Sequence, residues 1–167
     1  GGEARMTSTD HLNGSERIAE VAAHEKADVF VNIQGDEPLI HPENIDKVVA
    51  AFEKGPSVQV TTLAVRKTDP QEYENPNVVK VVCDREGDAL YFSRSPIPHL
   101  RGGWREGFSY LKHLGIYGYR SQILQELIRW PVGVHEDAEK LEQLRLLEQG
   151  IPIRVIETPH ESFSVDT

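Results

Sequence analysis

The stretch Gln34-Gly35-Asp36-Glu37 sets an amide, a glycine and two carboxylates directly after the apolar run Asp28 to Ile33. A carboxylate at the end of a buried strand is a hard oxygen ligand. Mg²⁺ takes one or two of these and leaves its other positions to substrate phosphates and water. Gly35 permits the tight turn that brings Asp36 to the strand end. In open α/β sheets that end is where ligands sit. A second carboxylate, Asp166 in the closing Val165-Asp166-Thr167, follows another strand-like run and can stand beside the first. A solvated acidic turn explains the same residues equally well, so types and spacing alone leave both readings open.

Other side chains carry the same double reading. Arg94 closes the apolar run Leu90-Tyr91-Phe92 and suits either a carboxylate clamp or a surface ion pair. His113 and Tyr117 lie in an apolar strand, where packing is the ordinary role. Glu142 and Gln143 fall in an amphipathic helix whose core face is Leu141, Leu144 and Leu147, which predicts both on its solvent side. Asp10-His11-Leu12-Asn13-Gly14-Ser15 runs into a helix. Backbone N–H groups there can read a base edge or a phosphate, and Ser15 is the expected N-cap. Arg17 reads as a solvated helix charge.

The elements that must position these residues alternate. A helix is predicted from Ser15 through Ala23, a strand over Asp28–Ile33, a helix from Pro42 ended by Gly55-Pro56, and a strand over Val58–Val65. That spacing predicts a βαβ unit and a mostly parallel sheet with helices on both faces. Residues 77–119 break the pattern. Asn77–Asp84 and Asp88–Arg94 flank a hairpin turn at Arg85-Glu86-Gly87, Pro96 to Gly103 is a loop, and Tyr110–Tyr119 is a further strand. Helices over Ser121–Trp130 and Asp137–Glu148 and a strand over Ile151–Ile156 complete the reading, with Gly150 ending the second helix.

The chain has 167 residues, enough for one domain with a core. With 18 basic against 27 acidic residues its formal net charge is −9, which argues against a general nucleic-acid binder but leaves room for a local basic pocket for a small anion. Cys83 is the single cysteine, so there is no internal disulfide, no C-x-x-C or Cys/His cluster suggests zinc, and a reducing compartment is the simplest expectation. No apolar run approaches membrane-spanning length.

Five segments in order, NIQGDEPLI, ALYFSRSPIP, KHLGIYGYR, LEQLRLLEQG and the terminal VDT, resemble the 3-deoxy-manno-octulosonate cytidylyltransferases, or CMP-Kdo synthetases. MTSTDHLNGSERIAE is similar to that family's nucleotide-recognition segment, with Asn13 and Ser15 where the family has Ser and Thr. The resemblance runs from Met6 to Thr167. It implies a Rossmann-like fold and one partial nucleotidyltransferase domain over 1–167, with 77–119 as an antiparallel region used in a homodimer contact. The implied reaction moves CMP from CTP to the anomeric hydroxyl of the sugar acid Kdo and releases pyrophosphate, in the cytoplasm, for lipopolysaccharide synthesis. By resemblance, Asp36 and Asp166 hold Mg²⁺, which neutralises phosphate charge and acidifies the attacking hydroxyl. Gln34, Arg94, Arg101, His113, Tyr117, Glu142 and Gln143 would surround the sugar, with Arg94 on its carboxylate. Asp10, His11, Gly14, Ser15 and Arg17 would face the nucleotide. The family's basic phosphate loop has no counterpart here, so the expectation is a piece that binds CTP poorly by itself. A CMP-sialic acid synthetase, an amino-Kdo cytidylyltransferase and a non-catalytic domain of the same fold are the alternatives.

Overall fold

The computed structural model describes residues 2–11, 13–35 and 37–161. In chain order these form α1 (Gly14–Ala22), β1 (Val29–Ile33), α2 (Pro42–Ala50, running into a 3₁₀ turn at Ala51–Lys54), β2 (Val60–Lys67), α3 (Pro70–Glu74), β3 (Lys80–Cys83), β4 (Ala89–Ser93), β5 (Tyr110–Arg120), α4 (Ser121–Leu127), α5 (Val134–Glu139), α6 (Leu144–Glu148) and β6 (Ile153–Glu157).

The sheet has the order β4-β3-β5-β2-β6, and β1 pairs with β5. β2 runs parallel to β6 and antiparallel to β5, while β1 and β3 are each antiparallel to β5 and β4 is antiparallel to β3. β1, β2, β3 and β6 therefore share one direction, but they are not one another's neighbours except for β2 and β6, so the sheet is mixed and, among the described residues, only the β2–β6 ladder is parallel. The predicted βαβ unit is present as β1-α2-β2, but its strands are not neighbours. The long β5 lies between them and turns most of the ladders antiparallel.

Alternating side chains send β2 into two cores. Val60 and Ala64 join Ala19, Tyr119, Leu124 and Leu144 on the face covered by α1, α4 and α6. Leu63 and Val65 join Val48, Leu114 and Ile116 on the face covered by α2. Gly118 sets the α2 approach, since a Cβ there would lie 2.6 Å from Phe52 Cε2 and 2.8 Å from Val48 Cγ1.

The hairpin turn falls where predicted. Asp84 Oδ1 accepts from the Glu86 and Asp88 amides at 2.8 and 2.9 Å, and Gly87 takes φ +86°. Helix α3 was not anticipated, although Asp69 caps it and Pro70 opens it. Two expectations are corrected. Asn13, not Ser15, caps α1, its side chain accepting from Glu16 N at 2.9 Å. The single helix expected over Asp137–Glu148 is two helices, because Lys140 adopts φ +53°. A bidentate Arg145–Glu136 pair, both N–O distances 2.6 Å and both side chains buried, locks this break. Glu142 and Gln143 consequently sit in the break and turn inward.

Candidate active site

The register of β5 against β2 shifts between Thr62 and Leu63. Thr62 faces Tyr117 and Leu63 faces Leu114, so Gly115 and Ile116 form a bulge. In a regular strand residues four apart are separated by about 13 Å. Here the rings of His113 and Tyr117 approach to 5.4 Å between centroids. The bulge thus gathers two side chains at one wall of a cavity of about 950 Å³. The end of β1 supplies Gln34, the end of β4 supplies Arg94, and the α5–α6 break supplies Glu142 and Gln143.

The chemistry of each group follows from its partners. Thr62 Oγ1 has one proton, which Ile116 O takes at 2.8 Å. Toward His113 Nε2, 2.9 Å away, the hydroxyl must therefore accept, so Nε2 carries the ring proton and Nδ1 is an acceptor. Burial pushes the His113 pKa down to about 3, so the ring is neutral. Burial also raises the Tyr117 phenol far above its ordinary value, which keeps it a neutral donor. Arg94 donates from Nε to Glu139 O at 2.8 Å and from Nη1 to Pro76 O at 3.3 Å. Both acceptors are carbonyls, and no ion pair of its guanidinium occurs among the described residues. Burial raises the Glu142 carboxyl, opposed by a hydrogen bond from Ser15. Glu142 Oε2 and Gln143 Nε2 are buried without hydrogen-bond partners among the described residues, as is Glu37 Oε2 in the same cavity.

The cavity wall also holds a charge cluster that residue types had not flagged. Lys67 meets Glu161 at 2.7 Å, and Lys112 meets Glu72 at 2.6 Å and Glu161 at 2.5 Å. Burial lowers the Lys112 pKa, but the hydrogen bonds to Glu161 and Glu72 more than reverse it. The sole sequence signal was the position of Lys112 beside His113.

A second cavity of about 570 Å³ lies between the start of α1 and the end of β1. His11, Gly14, Arg17 and Asn32 line it, and Gln34 lines both cavities. Gly14 permits the junction, because a Cβ there would stand 3.1 Å from Gln34 Oε1. Of the residues expected at the nucleotide, His11, Gly14 and Arg17 reach this cavity. Asp10 is exposed outside it, and Ser15 is buried on Glu142 and the Tyr119 hydroxyl. Arg101 is exposed in its loop and lines neither cavity. Asp36 and Asp166, the expected metal ligands, lie outside the described residues. Asn32, whose buried Nδ2 has no hydrogen-bond partner among the described residues, carries no motif as a strand Asn and gives no sequence signal.

A mixed sheet with two adjoining polar cavities at the end of β1 is the arrangement of a Rossmann-like nucleotidyltransferase. Residues 1–156 match the cytidylyltransferase profile. The chain is 49% identical over 176 residues to the 3-deoxy-manno-octulosonate cytidylyltransferase of Geobacter sulfurreducens, across 100% of this chain and 70% of that protein. It is 52% identical over 167 residues to the protein of the same name from Solibacter usitatus, across 100% and 66%. The solved structure of CMP:2-keto-3-deoxy-manno-octonic acid synthetase complexed with CTP matches with a TM-score of 0.92 at 43% identity, covering 100% of this chain and 68% of that one. HddC from Yersinia pseudotuberculosis, with a TM-score of 0.57 at 13% identity, shares the fold alone. The chain belongs to the cytidylyltransferase family and, within it, to the 3-deoxy-manno-octulosonate cytidylyltransferases.

Proposed function

We propose that this chain carries the sugar-acid site and part of the nucleotide site of an enzyme that transfers CMP from CTP to the anomeric hydroxyl of Kdo, releasing pyrophosphate. The observation that supports it best is the convergence of Gln34, Arg94, His113, Tyr117, Glu142 and Gln143 on one cavity. Kdo has one carboxylate and many hydroxyls. The Arg94 guanidinium, engaged only by carbonyls, is suited to the carboxylate. Gln143 Nε2 supplies a donor, while Glu142 Oε2 and His113 Nδ1 supply acceptors for hydroxyls. Each otherwise leaves a polar atom unused, and two of the three are buried orphans. Gln34, shared by both cavities, stands where sugar and nucleotide meet.

A divalent cation fits this donor set, because Glu37, next to Asp36 in the chain, leaves a buried carboxylate oxygen beside the cavity without a hydrogen-bond partner among the described residues. Asp36 and Asp166 are the residues we assign to hold it, with Mg²⁺ as the ion. When bound, it neutralises phosphate charge and acidifies the attacking hydroxyl. The chain's own groups orient that hydroxyl and exclude water around it. We place the protein in the cytoplasm as a homodimer that meets through residues 77–119, where β4 forms a sheet edge with Leu90 62% exposed. No helix among the described residues is long and apolar enough to cross a membrane.

Pyrophosphate release by the full-length protein tests the assignment, with CTP and Mg²⁺ and with Kdo, amino-Kdo or sialic acid as acceptor. Kdo should be preferred and Asp36→Ala should abolish the Mg²⁺ dependence. Faster turnover of another sugar acid, or Mg²⁺ dependence unchanged by the substitution, overturns it.

A further inference from the structure

Away from the residues assigned to sugar and nucleotide, the start of α2 meets the segment that follows β6. His41 and His160 stack there with ring centroids 3.7 Å apart and planes 3° from parallel. Glu43 Oε2 lies 2.8 Å from His160 Nε2. One ligand atom each from His41, Glu43 and His160 falls within 4.8 Å of the others.

The backbone beneath these side chains is held independently of them. Asn44 is fully buried, and its Nδ2 donates to His160 O at 3.0 Å. Thr158 Oγ1 donates to Asn44 Oδ1 at 2.7 Å, and Thr158 N donates to Ala64 O at 3.0 Å. Two segments more than a hundred residues apart are thereby clamped in register, so an ion joining them closes no loop. The side chains are already engaged with their neighbours: His41 Nδ1 caps α2 by accepting from Glu43 N, which leaves its Nε2 for an ion, and the Glu43 carboxylate meets His160 and Lys47. His41 and Glu43 are exposed, and the His41 Nδ1 contact with Glu43 N is 3.2 Å long.

We infer that His41, Glu43 and His160 form a surface site for a borderline divalent transition ion of the Zn²⁺ class. Two imidazoles and one carboxylate select Zn²⁺ over Mg²⁺ and leave a fourth position to water. An ion bound to both rings would require them to turn out of this parallel stack, so that both in-plane lone pairs reach it at Zn–N distances of about 2.0–2.1 Å. The ion ties the post-β6 segment to α2 one residue before Glu161, which lines the larger cavity. Its role is structural, and it does not depend on the proposed transfer reaction. Lys47 lies 3.3 Å from Glu43 Oε1, the carboxylate oxygen not facing His160.

Calorimetric titration of the full-length protein with ZnCl₂, in excess Mg²⁺ to occupy carboxylate-only sites, tests this. One Zn²⁺ equivalent is expected. Its affinity should fall at least tenfold in His41→Ala and in His160→Ala and stay unchanged in His135→Ala, whose histidine lies elsewhere. CoCl₂ should give the visible absorption of a four-coordinate ion, and Zn²⁺ should raise the melting temperature of the parent but not of the two cluster variants. Absence of Zn²⁺ binding, or binding of equal strength in parent and cluster variants, overturns the inference. Circular dichroism checks that the variants fold, and His160→Gln, which cannot replace an imidazole ligand, repeats the test with less loss of volume.

Discussion

Ser15 Oγ donates to Glu142 Oε1 at 2.9 Å and joins residues 127 positions apart. With its proton spent there, the same oxygen accepts from the Tyr119 hydroxyl at 3.1 Å. This chain of groups connects α1, beside the smaller cavity, to the α5–α6 break in the wall of the larger one. It holds a carboxyl whose pKa burial raises above 4.5. The folded state then binds more protons than the unfolded state over a window that opens near 4.5. Stability is lost as pH rises through that window and levels off above the raised value. Glu142→Gln removes the titration. Urea unfolding across pH should show the variant gaining on the parent as pH rises through the window. The variant should also raise KM for the sugar acid about tenfold, the equivalent of about 1.4 kcal/mol for one charged hydrogen bond. A constant stability difference across pH would show that the carboxyl is not shifted.

The neutral His113 gives the opposite sign. Its folded value of about 3 lies below the unfolded value of 6.5. Above pH 6.5 the residue is neutral in both states and carries no penalty. As pH falls from 6.5 toward 3, the unfolded chain takes up a proton that the folded chain refuses, and stability is lost. His113→Asn should flatten the acid limb of the stability profile over that window. Long-range ¹H–¹⁵N spectra of the parent should show the Nε2–H tautomer, unchanged between pH 5 and 8 (on the order of the physiological switch range of free histidine). A ring that titrates near 6.5 would refute the assignment.

Arg145 and Glu136 exchange two hydrogen bonds of 2.6 Å with both side chains buried. Arg145 Nη1 also reaches Leu127 O at 3.3 Å, which fastens α4 to the same point. Removing one partner strands a buried charge and should cost about 3–5 kcal/mol, whereas replacing both by apolar residues should cost less than the sum. Urea unfolding of Arg145→Met, Glu136→Leu and the double variant measures this. Additive losses would show that the two side chains do not act as a pair.

These pairs also mark where the sequence is legible. The strands over residues 28–33, 58–65, 110–119 and 151–156 are close to those observed, because short apolar runs bounded by Gly, Pro and Asp have few alternatives. The hairpin at Arg85-Glu86-Gly87 was readable for the same reason. The α5–α6 break was not. Leu141, Leu144 and Leu147 keep a helical period through it, and only the left-handed Lys140 and the distant Arg145–Glu136 pair interrupt the helix. Glu142 therefore read as a solvent residue when tertiary contacts had turned it inward. Ser15 was misplaced likewise, since Asn13 takes the cap by accepting from Glu16 N and leaves Ser15 inside the helix. The insertion of β5 between β1 and β2 depends on pairings far apart in sequence, which local periodicity does not encode. The resemblance gathered the six cavity residues, but it did not point to Asn32 or to the Lys67–Glu72–Lys112–Glu161 cluster.

Gly14 separates a folding role from a functional one. It opens α1, where alanine is the better helix former by about 1 kcal/mol. A Cβ there meets Gln34 Oε1 at 3.1 Å, Gln34 Nε2 at 3.2 Å and Asn32 Nδ2 at 3.4 Å. All three atoms end side chains rather than backbone, so the structure yields by turning Gln34 away. Gly14→Ala should leave the melting temperature unchanged or slightly raised, yet lower kcat/KM about tenfold, a loss of roughly 1.4 kcal/mol of transition-state binding. The loss should disappear against a Gln34→Ala background, because the displaced amide is then absent from both arms of the cycle. Equal losses with and without Gln34 would place the effect of Gly14 elsewhere in α1.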